Sequence, residues 1–328
     1  MNIQQRYKYV PQMKFYDQIT CDYKPFVMFF NKSNFISNII NTDDLGFRYN
    51  YHEGLLKKVS DFYKYDEVSL IIGGSSVFGF GSTSDNSTIS SVLTKNTNEI
   101  FLNFGATAFN SKQELILFLN FFQKFKKIKN VIIISGMNDL YLNLVNKQDA
   151  WGDFFFKKEY NEIHEYHKNK NNLKLKLKRL LSKLLNKKKR PSDYKYINFD
   201  NLDLNFKNLF NLWSTLSKNY NFNLYYYLQP LPSWTQKNLS DLEINIFEIL
   251  DRSNDFAHQI LKEISLIDNY EKYKSILQKN SQNNEINFLD LNIEFKKLNE
   301  INETLFVDRV HLTDLGYEKI SDIILNRI

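Results

Sequence analysis

The stretch Leu70-Ile71-Ile72-Gly73-Gly74-Ser75-Ser76-Val77-Phe78-Gly79 reads as a buried apolar strand running directly into a glycine-rich turn with a serine at its tip. An uninterrupted apolar run suits a strand covered on both faces, and the C-terminal edge of such a sheet is where open α/β folds gather their functional groups. Outward from it, strand and helix signals alternate. Asn86-Ser87-Thr88 supplies cap chemistry for a helix through Ile89, Val92 and Leu93. Residues 99–104 read as a second strand, 111–125 as a helix and 130–135 as a third strand, continuous in its hydrophobicity. A helix over 202–220, a fourth strand over 223–228 and a long helical stretch over 239–280 follow. A short strand at 287–291 and a closing helix over 313–327 complete the pattern. Such alternation predicts an α/β fold, a three-layer α/β/α sandwich around a parallel sheet of about five strands.

Two regions stand outside the alternation. The first 60 residues are aromatic and turn-prone and include Asn41-Thr42-Asp43-Asp44-Leu45-Gly46-Phe47-Arg48. They are expected to form an N-terminal extension packed on a main domain over 61–328. Residues 145–200 interrupt the domain between its third and fourth strands, with Trp151, then Phe154-Phe155-Phe156, then a helical basic segment. No internal repeat is evident.

Charge is unevenly spread along the 328 residues. The net charge is +6, yet residues 165–190 hold eleven Lys or Arg against one Glu, which leaves the rest of the chain at −4. A mildly acidic protein with one concentrated basic segment does not read as a nucleic-acid binder. Leu177, Leu180, Leu181, Leu184 and Leu185 recur at helical spacing within it. The segment 173–190 therefore reads either as a solvated helix packing its leucines on the domain or as a helix resting on an anionic membrane surface.

No apolar run reaches the roughly 18 residues of a membrane-spanning helix. The start, Met1-Asn2-Ile3-Gln4-Gln5-Arg6, lacks the shape of a secretory signal, and the single Cys21 has no internal partner. A cytoplasmic location, with peripheral contact at the inner membrane surface as its variant, is the expectation. The abundance of Phe, Tyr, Asn, Lys and Ile carries no site information.

Further pieces follow the Ser75 turn in order. Gly105 ends the second strand in Asn103-Phe104-Gly105-Ala106, and Asn138 follows the third in Gly136-Met137-Asn138-Asp139. Asp308-Arg309-Val310-His311 precedes the last helix. Acyl transfer by a serine needs a nucleophile, a base, a carboxylate that orients the base, and donors for the oxyanion. Ser75, His311 and Asp308 fit the first three roles, and the three-residue spacing lets the carboxylate reach the ring nitrogen not used in catalysis. The backbone N–H groups of Ser75 and Gly105 and the side-chain amide of Asn138 are the candidate oxyanion donors. Each also has a plainer reading: Ser75 as a helix cap, Gly105 as a turn glycine, Asn138 as an Asx-turn former, Asp308 as a cap beside a surface His311. Ser76 is the neighbouring alternative nucleophile. Asp139 reads as a partner for nearby backbone groups, and Gln229 as a loop hydrogen-bonder or a pocket-lining residue.

These blocks, Gly73-Gly74-Ser75-Ser76-Val77-Phe78-Gly79, Gly105, Gly136-Met137-Asn138-Asp139 and Asp308-Arg309-Val310-His311, resemble in order and spacing those of the SGNH (GDSL-type) hydrolase superfamily over residues 68–328. The resemblance implies a flavodoxin-like sandwich and a serine esterase that works through an acyl-enzyme. The departure is Gly74, where the name-giving motif carries Asp. The Gly-Gly-Ser turn and the upstream stretch ending in Leu45-Gly46-Phe47-Arg48 resemble members associated with bacterial surface carbohydrate. That points to removal of O-acyl groups, O-acetyl above all, from a glycan or its precursor.

An O-acyltransferase using the same three residues is the nearest alternative, and a non-catalytic glycan-binding or scaffold protein is the second. No cofactor is expected, and no metal either, since His164 and His167 have no third ligand at usable spacing. The glycine turn lacks the Lys-Ser/Thr of a P-loop, Gly79-Phe80-Gly81 lacks the third glycine of a dinucleotide fingerprint, and Val77 stands where an α/β-hydrolase elbow needs glycine. Acyl group, sugar and oligomeric state are not encoded in any motif.

Overall fold

The structure, a computed structural model, describes residues 3–145, 154–156, 160, 162, 197–253, 256–298 and 303–328. After a 3-10 turn at Ile3–Lys8, the chain forms α1 (Met13–Tyr16) and two antiparallel hairpins, β1 (Cys21–Lys24) with β2 (Met28–Asn31) and β3 (Asn50–His52) with β4 (Leu55–Lys57). Then come β5 (Val68–Gly73), α2 (Ser75–Phe78), α3 (Ile89–Asn96), β6 (Phe101–Gly105), α4 (Ser111–Phe121), β7 (Ile128–Ser135) and α5 (Met137–Val145). Beyond the insertion lie α6 (Phe199–Tyr220), β8 (Asn223–Leu228), α7 (Pro232–Thr235), α8 (Asp241–Asp251), α9 (Phe256–Ile264) and α10 (Ile267–Asn283). The chain closes with β9 (Asn287–Asp290), α11 (Leu291–Lys297) and α12 (Asp314–Leu325).

Strands β5 to β9 form one parallel sheet in the order β6-β5-β7-β8-β9, the flavodoxin-like doubly wound arrangement. The two-residue period of a strand splits its apolar residues between two cores. Leu70, Ile72, Leu102, Phe104, Val131 and Ile133 meet α4, α6 and α10 on one face. Ile71, Phe101, Ile132 and Ile134 meet α2, α3, α8, α11 and α12 on the other. This two-sided cover is why the central strands read as unbroken apolar runs.

The N-terminal residues enter both cores. Val27, Phe29, Phe30 and Phe47 join the first, and Val10, Met13, Tyr16 and Ile40 join the second. Burial of a phenylalanine side chain is worth about 1.5–3 kcal/mol, so three such rings bind this region firmly to the sandwich.

The helix expected over 239–280 is three helices. Ser240 caps α8 through a reciprocal bond pattern with Glu243, and extended Leu266 (ψ 138°) separates α9 from α10. The helix expected over 111–125 ends at Phe121, continued by a 3-10 turn at Phe122–Lys124. Thr88 caps α3, its side chain accepting from Ser91 N–H. The basic segment 165–190, with the proposed membrane-facing stretch 173–190, lies outside the described residues, as do Trp151, His164 and His167.

Candidate active site

Ser75, Asn138 and His311 come together at the C-terminal edge of the sheet. Ser75 is the first residue of α2, delivered by β5 through the extended Gly74. Its Oγ lies 2.7 Å from His311 Nε2. His311 Nδ1 donates to Asp308 Oδ2 at 2.8 Å, with Oδ1 at 3.0 Å. The turn from Asp308 to His311 is tied back on itself, because Asp308 Oδ1 also accepts the N–H groups of Val310 (2.8 Å) and His311 (2.7 Å). Asp308 is buried, which by itself raises a carboxyl pKa. His311, the Arg6 guanidinium and the His311 backbone N–H reverse that effect and hold Asp308 well below the usual carboxylate range.

The hydrogen bond to Oγ fixes the nucleophile candidate. Ser76 is turned inward, its Oγ accepting from Gln229 Nε2 at 2.8 Å. The same Gln229 nitrogen donates to Val310 O at 3.2 Å. Gln229, at the end of β8, thus spans from the residue after Ser75 to the residue before His311. The Phe80 ring lies against the imidazole of His311, centroids 4.3 Å apart and planes inclined by 31°.

The second strand's contribution differs from expectation. The Gly105 N–H is already engaged, donating to Asn103 Oδ1 at 2.9 Å, so it is not a free oxyanion donor. Residue 105 must be glycine for another reason. A Cβ there would stand 2.0 Å from Phe78 N and 2.5 Å from Val77 C, the backbone of α2. Ala108, three residues on, has a left-handed backbone (φ +61°), and its N–H has no partner among the described residues. Phe109 O then accepts the Asn138 side-chain amide Nδ2 at 2.6 Å. A Cβ on residue 74 would lie 2.9 Å from that nitrogen, so glycine at this position leaves the Asn138 amide its room.

Beneath Asn138 lies an acidic cluster. Asp139 accepts from Ser111 Oγ (2.6 Å) and Ser111 N–H (3.1 Å) at the start of α4, and Glu114 accepts from Ser135 Oγ at 2.6 Å. Burial pushes Asp139 up to about 6 against the lowering effect of Ser111. Burial and the neighbouring Asp139 raise Glu114 well above its ordinary value.

Arg6 and Phe80 were given no role in the sequence, and Arg48 appeared there only as the end of the upstream stretch. Arg48, fully buried, donates from Nη1 to Phe78 O and Gly79 O, each at 2.9 Å, and pairs through Nε with Asp85 Oδ1 at 2.7 Å. Asp43 Oδ1 accepts the N–H groups of Leu45, Gly46 and Phe47, folding the stretch that delivers Arg48. The upstream motif is therefore a buttress on the far end of α2. Its one visible signal was an arginine closing a turn-prone stretch.

Among the described residues, no group of three or more His, Cys, Asp or Glu is arranged to hold a metal, and no helix is long and apolar enough to cross a membrane.

No protein-family model matches the chain, and no curated protein matches it. Similar solved structures include the acetyl xylan esterase AlAXEase (13% identity, TM-score 0.43, covering 80% of this chain and 99% of that one). A lipolytic protein of the G-D-S-L family from Veillonella parvula DSM 2008 has 9% identity and TM-score 0.41, covering 80% and 98%. A lipase/acylhydrolase from Enterococcus faecalis has 11% identity and TM-score 0.42, covering 80% and 94%.

Proposed function

We propose that this protein is a serine ester hydrolase that removes O-acyl groups, O-acetyl in particular, from a glycan or glycan precursor. The observation that carries the proposal is the continuous chain Ser75 Oγ–His311 Nε2, His311 Nδ1–Asp308 Oδ2, with both distances inside hydrogen-bond reach. The glycan part rests on the Gly-Gly-Ser turn and the Leu45-Gly46-Phe47-Arg48 stretch. Residues 61–328 are read as the catalytic domain, with 1–60 as its extension.

Ser75 Oγ attacks the acyl carbonyl carbon as His311 Nε2 takes its proton. The ester C–O bond breaks, the proton passes from Nε2 to the departing sugar oxygen, and an acyl-Ser75 remains. Water then attacks that carbonyl, giving its proton to Nε2. The carboxylic acid departs as Oγ recovers the proton. Asp308 holds the imidazole in the tautomer with Nδ1–H throughout. The oxyanion is held by the Ser75 N–H, a first-turn donor with no intrahelical partner, by the second N–H of the Asn138 amide, and by the Ala108 N–H in place of Gly105. Each such donor is worth about a hundred- to a thousandfold in turnover.

Treatment with a fluorophosphonate probe, followed by mapping of the adduct, tests this reading. Labelling at Ser75, lost in His311→Ala and accompanied by loss of p-nitrophenyl acetate hydrolysis in Ser75→Ala, is the expected result. Hydrolysis undiminished in a folded Ser75→Ala variant would sink the mechanism. Product analysis with and without a sugar acceptor separates hydrolysis from acyl transfer.

A further inference from the structure

The candidate triad has a charged neighbour contributed from the start of the chain. Arg6 sits in the 3-10 turn Ile3–Lys8 with its side chain only 4% exposed. Its Nη2 is anchored to Asp17 Oδ1 at 2.5 Å, and Tyr7 Oη donates to the other oxygen of Asp17 at 2.7 Å. Its Nη1 lies 4.0 Å from Asp308 Oδ2, the oxygen that accepts from His311. Arg6 Nε is buried and has no partner among the described residues. A guanidinium this buried, with one nitrogen unsatisfied, costs stability.

The other charges nearby do not duplicate it. Arg309, beside Asp308 in sequence, is taken up by Asp251 at 2.7 and 3.0 Å. Arg48 is paired with Asp85. Tyr317, the buried phenol within range of Asp308, donates to Phe80 O at 2.7 Å and stays neutral, since burial raises it well above its ordinary value. Among the described residues, Arg6 is thus the cation facing the Asp308 carboxylate from outside the Asp308–His311 turn.

We infer that Arg6 is a positioning residue for the Asp308–His311 couple, holding the carboxylate ionised and opposing a second positive charge on the imidazole. This rests on the esterase reading above. A fixed cation beside the couple opposes any further positive charge placed there. It also ties the N-terminal region to catalysis, which hydrophobic packing alone would not do. At interior-like screening, removing one unit charge a few ångströms from the couple moves a titration by about one pH unit. The direction is upward, because imidazolium then meets less opposition.

The test is the pH profile of kcat/KM for p-nitrophenyl acetate in wild type, Arg6→Gln, Arg6→Lys and the double variant Arg6→Gln/Asp17→Asn. The acidic limb is expected to move up by about one pH unit in Arg6→Gln, with about a tenfold loss on the acidic side and little change on the alkaline plateau. Arg6→Lys, which retains the charge, is expected to restore the limb. The double variant removes Arg6 and Asp17 as a pair, so it keeps the question answerable if unpaired Asp17 prevents folding. It should shift in the same direction as Arg6→Gln. A uniform loss across pH, or an unmoved limb in a folded variant lacking the Arg6 charge, overturns the role given to Arg6. Absence of Ser75-dependent hydrolysis in wild type overturns the esterase reading instead.

Discussion

Gly105→Ala separates two explanations of the same glycine. If Gly105 served to present its own N–H to an oxyanion, a methyl pointing elsewhere would change little. The structure instead puts that methyl 2.0 Å from Phe78 N, 2.5 Å from Val77 C and 2.6 Å from Phe78 Cα. All three atoms are backbone, so no side chain can swing aside. To reach an ordinary contact of 3.4 Å, α2 must withdraw from β6 by about 1.4 Å. It is held on its other side by Arg48 on Phe78 O and Gly79 O and by Gln229 on Ser76 Oγ. Overpacking of this kind costs about 1–3 kcal/mol, with rigid backbone on both sides placing it at the upper end. For a chain of this size a urea m-value of about 3 kcal/mol/M turns that into a midpoint lower by about 1 M. Ser75 travels with α2, so its 2.7 Å bond to His311 opens toward about 4 Å, beyond hydrogen-bond reach. A displacement of about 1 Å at reacting atoms costs roughly a hundredfold in turnover. Urea titration followed by circular dichroism and p-nitrophenyl acetate kinetics on the same preparation measure both effects. A variant with the wild-type midpoint and full turnover would refute the close approach of α2 and β6.

Two further outcomes follow from the site. Gln229→Leu removes the bridge between Ser76 and Val310 and leaves a buried hydroxyl without its donor, at about 1–3 kcal/mol; kcat should fall about tenfold with KM little changed, and an unchanged kcat in folded protein would count against the bridge. Asp139 titrates near 6 in the fold against 3.8 as its ordinary value, so the folded state binds its proton more tightly than the unfolded chain. Its contribution favours folding below about pH 4 and is lost as pH rises through 6, by at most about 3 kcal/mol. Asp139→Asn should therefore gain stability relative to wild type as pH rises from 4.5 to 7, measured by urea midpoints; a constant difference across that range would rule out the shifted carboxyl.

The strands that carry the site were legible because they are covered on both faces. Val68–Gly73, Phe101–Gly105, Ile128–Ser135 and Asn223–Leu228 fall within two residues of where the largely apolar runs place them. The N-terminal hairpins were not legible, since strands of three or four residues such as Asn50–His52 are too short for a two-residue period to emerge. The division of 239–280 into three helices also escaped, because apolar spacing continues across Leu266 while its backbone does not. Among the candidate site residues, Ser75, Asn138, Asp308 and His311 were singled out from order and spacing, and the structure places them at one edge of the sheet. Arg6 gave no local signal, because its meaning depends on residue 308 standing beside it.

Sequence by itself determined what is local: which segments must be buried strands, which turn presents a serine, and that a carboxylate three residues from a histidine can orient it. Only the tertiary structure decided which groups remain free once the elements pack. It directed the Gly105 N–H to Asn103 and pressed the glycine against α2. It turned Ser76 inward to Gln229 and brought a buried arginine from the sixth residue to the Asp308 carboxylate. Hydrogen-bond allegiance and electrostatic neighbourhood are set by distance in space, and contacts this remote along the chain leave no periodicity to read.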